Sequence, residues 1–345
     1  MIPTAMTTQN DLDAAGAHEG ALAAAIGALQ DAQRIAAATH ITPDPDAIGS
    51  LLGFGHVLRH IGKEVILLCD DLVPASVRFL PGSEAIRSTF SEHSPIDLFV
   101  GLDASDLDRL GGVATPFFVA GIKTLVVDHH ITNVRFGTVN LVNPDWSATA
   151  EGLVELFSAM HAPITPEAAT CLLAGLVGDT RSFSTANTTA QSLHAGASLV
   201  AAGGDIRFIS EMLFNRRSYE TLRFWGIGLA NAALEDGVCW TTITSDERNS
   251  IGLQETNSSG LSNLLISAEE ANIAAVFTEQ PDGTIDASFR ARPGYDVATV
   301  ALGLGGGGHA LAAGAILQGP ILETALNTVA LLKVAAKLLE HKVPE

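Results

Sequence analysis

A chain of 345 residues, 47% apolar and only 17% charged, is long enough for a large core and for two domains. Acids outnumber bases 38 to 19, and the net charge of −19 argues against a surface that grips long nucleic acid, since phosphate neutralisation needs Lys and Arg. It leaves room for a short anionic substrate at a local positive site, and the acidity serves solubility equally well.

Residues 1–20 carry acids and no basic start, so they read as a flexible extension rather than a signal peptide. Residues 20–38 read as an Ala-rich helix running into a short apolar stretch that stops at His40. Helical spacing then resumes in "DAIGSLLGFGHVLRHIG", with Asp46 near its start. "EVILLC", "IDLFVGLD" and "KTLVVDHH" are compact apolar runs typical of buried parallel strands. The segments between them have the length of crossovers, which predicts an α/β fold: a parallel sheet with helices on both faces. Residues 146–176 read as two helices around a Pro-containing turn, Asp179 ends the next apolar run, and Thr188 or Thr189 caps the helix that follows.

Residues 205–235 read as a mostly helical connector, with the boundary between domains near residue 225. Beyond it "GVCWTTITS" and "NIAAVFTEQPDGTIDASFRAR" look like strands, the latter pair joined by a Pro-Asp-Gly turn, and a helix closes the chain. The resulting division is 1–20, 21–204, 205–235 and 236–345. Residues 297–317 are long and apolar enough for a membrane check, but their four glycines and His309 read as a buried Gly-rich loop. Cys69, Cys171 and Cys239 are widely spaced and odd in number, which predicts reduced thiols and a cytoplasmic location.

Polar clusters follow the apolar runs at His40/Asp44/Asp46, Asp103, Asp128/His129/His130 and Asp179. Each alone has a plain structural reading: a lone aspartate caps a helix or closes a turn, and adjacent histidines occur in surface loops. Together they predict one converging site at the carboxyl ends of the strands, where open parallel sheets bind ligands. Carboxylates and imidazoles are ligands for hard or borderline divalent cations. Asp44, Asp46, Asp103 and Asp179 bring four negative charges, which two divalent ions balance and one does not. Two such ions clamp a phosphoryl group and activate water.

In this order, "THITPDPDA", "GLDASDLDRLG", "VVDHHITN" and "GLVGDTRSF" resemble the four motifs of the DHH phosphoesterase superfamily. "SFRARPGYDVATVALGLGGGGHALAAGA" resembles its DHHA1 domain, and the whole is most similar to the oligoribonuclease (nanoRNase, NrnA-like) subfamily. The resemblance implies a DHH catalytic domain, a smaller α/β DHHA1 domain across a cleft, and two metal ions, usually Mn2+. His40 and Asp44 would hold the first ion, Asp46, His129 and Asp179 the second, and Asp103 both. His130 would lie beside the scissile phosphate, and Asp128 would orient a histidine. Arg290 and the Gly306, Gly307, Gly308 and His309 run would bind substrate, with Arg292 a less certain neighbour. Arg109 reads either as a phosphate contact or as a surface arginine.

The implied activity is hydrolysis of very short RNA or dinucleotides to 5′-mononucleotides, with 3′-phosphoadenosine 5′-phosphate as a further substrate. No membrane or long nucleic-acid partner is expected, and family likeness implies a homodimer. Cyclic- or linear-dinucleotide phosphodiesterase is the alternative within enzymes. An inactive nucleotide-binding sensor is the alternative outside them, opposed by the complete ligand set. Two departures from the family pattern, Pro45 in place of Gly and Arg181 where small residues are common, bear on substrate preference.

Overall fold

The computed structural model describes residues 9–90, 95–252 and 260–340. The chain divides into two compact units, Met1–Arg216 and Arg217–Glu345.

The first unit runs α1 (Gln9–Asp31), β1 (Arg34–Thr39), α2 (Pro45–His60), β2 (Glu64–Leu68), β3 (Leu98–Leu102), α3 (Thr115–Val119), β4 (Thr124–Asp128), β5 (Val139–Val142), α4 (Thr149–Ala159), α5 (Pro166–Asp179), α6 (Ala190–Ala201) and α7 (Ile206–Ser210). The five strands form an all-parallel sheet in the order β2-β1-β3-β4-β5. After β1 the chain steps outward to β2 and then crosses back to β3, so β1 and β3 flank the point where strand order reverses. Their carboxyl ends open the crevice that such sheets use for ligands.

Every residue of β3 and β4 is buried, which is why both read as unbroken apolar runs. One face of the sheet, with Ile35, Leu98, Val100 and Val127, packs under α1, α2, α4 and α5. The other face, with Ala36, Ala38 and Phe99, is covered mainly by the five-residue α3 and short 3-10 turns; the Phe99 and Phe117 rings stack at 4.7 Å. Helices do flank both faces, but very unequally.

Two local expectations change and a third is narrowed. The first helix begins at Gln9, inside the segment expected as a flexible extension, and residues 1–8 lie outside the described residues. Its Ala-rich body has helical propensity that continues through the polar start. Asp179 ends a helix, not a strand, because its apolar run sits within the fourteen-residue α5. Thr189, not Thr188, caps α6, in a capping box with Ser192.

The second unit runs α8 (Tyr219–Ala230), β6 (Ala233–Glu235), β7 (Val238–Ile243), α9 (Ser245–Ile251), α10 (Leu261–Leu265), β8 (Ile273–Glu279), β9 (Ile285–Ala291), α11 (Ala298–Gly303), β10 (Gly307–His309), β11 (Ala312–Leu317) and α12 (Ile321–Glu340). Its six-stranded sheet has the order β10-β11-β9-β8-β7-β6 and is antiparallel except for the β7–β8 pair. Strict alternation in β9 buries Ile285, Ala287, Phe289 and Ala291 against α11 and α12. Asp286, Ser288 and Arg290 point to the opposite face. The glycine run is not a buried loop: Gly307–His309 form an edge strand whose last two residues are exposed. Among the described residues no helix is long and apolar enough to cross a membrane.

Candidate active site

His40 leaves the end of β1 and Asp103 the end of β3, so the strand-order reversal sets them side by side. His40 Nε2 lies 3.5 Å from Asp103 Oδ2 and 3.8 Å from Asp44 Oδ1. His129, at the end of β4, reaches Asp103 Oδ1 at 3.6 Å and Asp179 Oδ2 at 3.3 Å. His40, Asp44 and Asp103 form one set of donor atoms lying within 4.8 Å of one another; Asp46, His129 and Asp179 form another. The clusters quoted from the sequence therefore converge, although two of their segments are helix ends rather than strand ends.

Each carboxylate is fixed by its own surroundings. Asp44 is the N-cap of α2, where Ala47 N donates to its Oδ1 at 2.9 Å. Pro45 then falls at the first helical position, where a missing N–H costs no hydrogen bond. The ring fits because residue 178 is glycine; a Cβ there would lie 2.7 Å from Pro45 Cβ. Asp46 is fully buried and accepts from Thr149 N at 2.6 Å, Ala150 N at 3.1 Å and Ser50 Oγ at 3.0 Å. The start of α4 thus donates to it from the positive end of that helix. A Cβ on Gly175 would meet Asp46 Oδ1 at 2.5 Å. Asp103 adopts a left-handed backbone, φ 58°, which aspartate tolerates better than most residues. Its Oδ1 accepts from Thr149 Oγ1 at 2.9 Å.

The electrostatics identify what the cluster lacks. Burial, followed by repulsion from Asp103, pushes the carboxyls of Asp46 and Asp179 well above the usual range. Asp44, at the rim, is raised by partial burial and by Asp103. Burial also works to raise Asp103, but the three histidines around it prevail and hold it low. His40 is raised, because its contact with Asp103 outweighs burial. The imidazoles offset only part of the negative charge, so the donor set fits cations and is strained without them.

Asp103, His129 and His130 form a further set, and Asp128 belongs to none of them. Its Oδ1 accepts from His129 N at 2.9 Å and from His130 Nδ1 at 2.7 Å, and Asn133 Nδ2 donates to Oδ2 at 2.7 Å. The hydrogen bond to Asp128 lifts His130 to about 9. Asp128 thus orients His130 and leaves its Nε2 as the outer nitrogen, on a ring that is 42% exposed.

Arg109 is half-buried beside the cluster. Its NH2 lies 3.0 Å from His40 Nδ1, which is also 2.7 Å from Ile41 O. Guanidinium only donates and the carbonyl only accepts, so the His40 tautomer decides which contact is a hydrogen bond. Arg181 is the residue after the C-cap of α5. Ser182 N donates to Val177 O and Arg181 N to Gly178 O, the paired bonds of a Schellman turn. The position has φ 45° and usually belongs to glycine; a side chain there costs roughly 1 kcal/mol. Thr149 and Asn133 escaped the sequence reading. Asn133 lies within the quoted "DHHITN" motif, whereas nothing in "SATAEG" singles out Thr149.

The residues assigned to substrate belong to the second unit. Arg290 Nε donates to Asn263 Oδ1 at 2.9 Å and its NH1 to Phe289 O at 2.8 Å. Arg290 and His309 are both in register with Ala312, so the three form one row across β9, β11 and β10. Gly308, at φ 136°, leaves no room for a Cβ, which would lie 2.5 Å from Ala312 O; Gly306 is likewise blocked by Gly314 O. At Gly307 a Cβ would meet nothing within 4 Å. Arg292 donates to Ala268 O at 2.8 Å.

Residues 34–176 match the DHH family, N-terminal domain, and residues 243–339 match the DHHA1 domain. The chain is 35% identical to the bifunctional oligoribonuclease and PAP phosphatase NrnA of Thermus thermophilus, over 85% of this chain and 86% of that one. It is 28% identical to the protein of the same name from Bacillus subtilis, over 80% and 87% of the two chains. The crystal structure of an exopolyphosphatase-related protein from Bacteroides fragilis shares the fold, with a TM-score of 0.85 at 23% identity, over 93% of this chain and 98% of that one.

Proposed function

This chain belongs to the DHH family of phosphoesterases, with a DHHA1 domain, and from that premise we propose that it hydrolyses very short oligonucleotides to 5′-mononucleotides. We propose 3′-phosphoadenosine 5′-phosphate as a second substrate, in line with the names of its relatives. The observation that carries the reading is the meeting of His40, Asp44, Asp46, Asp103, His129 and Asp179 at the strand-order reversal of the parallel sheet.

The two donor sets support a pair of divalent ions, with manganese as the proposed metal. His40 and Asp44 would serve one ion, Asp46, His129 and Asp179 the other. Asp103, with one oxygen facing His40 and the other facing His129, would serve both. Bound ions supply Lewis acidity toward phosphoryl oxygens and make water a nucleophile near neutral pH.

The remaining steps belong to the chain's own residues. Thr149 and the first turn of α4 hold Asp103 and Asp46 in place, so the donors need little reorganisation. Asp128, pinned by Asn133, holds the His130 ring. His130 Nε2 is then the donor toward a phosphoryl oxygen or the leaving ribose oxygen. In the second unit, Arg290 and His309 would bind nucleotide through charge-assisted hydrogen bonds. A substrate that small needs no long basic track, consistent with a net charge of −19.

A turnover panel with manganese tests the reading. It compares RNAs from dinucleotide to heptanucleotide, cyclic and linear di-adenylate, 3′-phosphoadenosine 5′-phosphate and pyrophosphate. The expected order places dinucleotides first and pyrophosphate last. Preference for pyrophosphate, or inertness toward every nucleotide, would sink it.

A further inference from the structure

Arg181 is held in a conformation that favours glycine, and no side-chain hydrogen bond or ion pair among the described residues repays it. The turn after α5 carries three successive non-glycine residues with positive φ: Arg181 at 45°, Ser182 at 60° and Phe183 at 62°. Two of them have internal roles. Ser182 N closes the turn on Val177 O at 2.9 Å. Phe183 N donates to Thr180 Oγ1 at 3.0 Å, and its ring packs so closely on Gly196 that a Cβ there would lie 2.7 Å from Cζ. Arg181 uses only its backbone. Its side chain is exposed and makes no hydrogen bond or ion pair with any described residue.

The position also matters. Arg181 is two residues past Asp179, so their Cα atoms lie within about 7 Å. Across the four motif segments the only Lys or Arg residues are Arg109 and Arg181. Arg109 is half-buried, with its NH2 3.0 Å from the ring of His40. Arg181 is the exposed cation of those segments, on a turn whose backbone is fixed. A planar guanidinium suits a phosphate dianion, which it engages with two parallel hydrogen bonds.

We propose that Arg181 is a specificity residue that binds a terminal phosphate of the substrate, favouring nucleotides that carry a phosphate besides the one being hydrolysed. This rests on the reading of the cluster as a nucleotide phosphoesterase. The chemistry recognised is a phosphate dianion. Two kinds of substrate present one: a dinucleotide with a 5′-phosphate, and a nucleoside 3′,5′-bisphosphate.

The test uses the full chain with manganese and two substrate pairs. One pair is a dinucleotide with and without its 5′-phosphate; the other is adenosine 3′,5′-bisphosphate against adenosine 3′-monophosphate. In each pair kcat/KM is taken as a ratio, phosphate-bearing over phosphate-free. Arg181→Gly should lower the ratio about tenfold in at least one pair, through KM. The pair that responds identifies the source of the phosphate. Arg181→Lys should keep part of the preference. Tm should rise by roughly 2–4 °C in Arg181→Gly, as strain is relieved. Arg207→Ala, on an arginine that is 78% exposed elsewhere in the first unit, should leave both ratios alone. A raised Tm with both ratios unchanged overturns the proposal. A wild-type chain inert toward all four substrates overturns the functional reading beneath it, a result that is easily told apart.

Discussion

The acid cluster of the first unit and the Arg290 row of the second differ in how far the protein satisfies its own groups. In the cluster, Asp46 and Asp103 are buried at 0% and 2% exposure beside Asp44 and Asp179, and the nearby imidazoles balance only part of the charge. In the second unit Arg290 is tethered to Asn263 and to its own strand, and the glycines at 306 and 308 are explained by the approach of β11. The first arrangement carries more negative charge than its own imidazoles balance; in the second, the arginine is held by partners of its own unit. Chemistry is expected from the one and affinity from the other.

The sharpest way to break that division is Asp103→Asn. Asparagine keeps the left-handed backbone within reach, so the variant should fold, while one of the two oxygens that face His40 and His129 becomes an amide nitrogen. Turnover of a dinucleotide should fall by on the order of a thousandfold. Bound manganese, read by elemental analysis, should drop with it. Wild-type rates would remove Asp103 from the site.

The cluster's self-repulsion should also appear in stability. Asp46 and Asp179 hold their protons more tightly folded than unfolded, so the metal-free protein loses stability as pH rises above about 4, toward their raised values. His40 and His130 act in the same direction at higher pH: their contributions are present below the ordinary histidine value and fade as pH climbs, for His130 through about 9. A divalent ion needs the carboxylates deprotonated, so manganese should raise Tm more at pH 8 than at pH 5. Metal-free Asp179→Asn should lose less Tm over that interval than the wild type. Equal metal-induced shifts at both pH values would mean the carboxylates are not the ligands.

The same contrast explains what the sequence could disclose. Strands β2, β3 and β4 were legible as compact apolar runs, and the acids after β3 and β4 stand out against that background; β1, Arg34–Thr39, was read only as a short apolar stretch at the end of an Ala-rich helix, because alanine favours helix. Strand β5 was not legible, because "VNLV" is short and interrupted by Asn140, whose side chain donates to Gly137 O. The helical position of Asp179 was hidden since a short apolar run does not distinguish buried helix from strand. Thr149 escaped because it acts through other residues: its contacts with Asp46 and Asp103 span 103 and 46 positions of sequence. The orientation of Arg109 toward His40 is likewise a tertiary fact. A glycine run announces close approach but not what approaches, and here much of the answer is a neighbouring strand.

Within the second unit the smallest expected effects separate scaffold from contact. Arg290→Ala should raise KM for a dinucleotide about tenfold with kcat nearly unchanged, as expected for lost binding rather than lost chemistry. Gly307→Ala is finer. A methyl group there meets nothing within 4 Å and the residue lacks a positive φ, so Tm should stay close to wild type, with a stability change within about 0.5 kcal/mol. Gly306→Ala drives a Cβ into Gly314 O and should visibly lower Tm. If substrate lies on the glycine run, Gly307→Ala raises KM severalfold in a fully stable protein, because the methyl occupies space that only a ligand would use. An unchanged KM in that variant would reduce the run to an edge strand and leave Arg290 and His309 as the contacts of that surface.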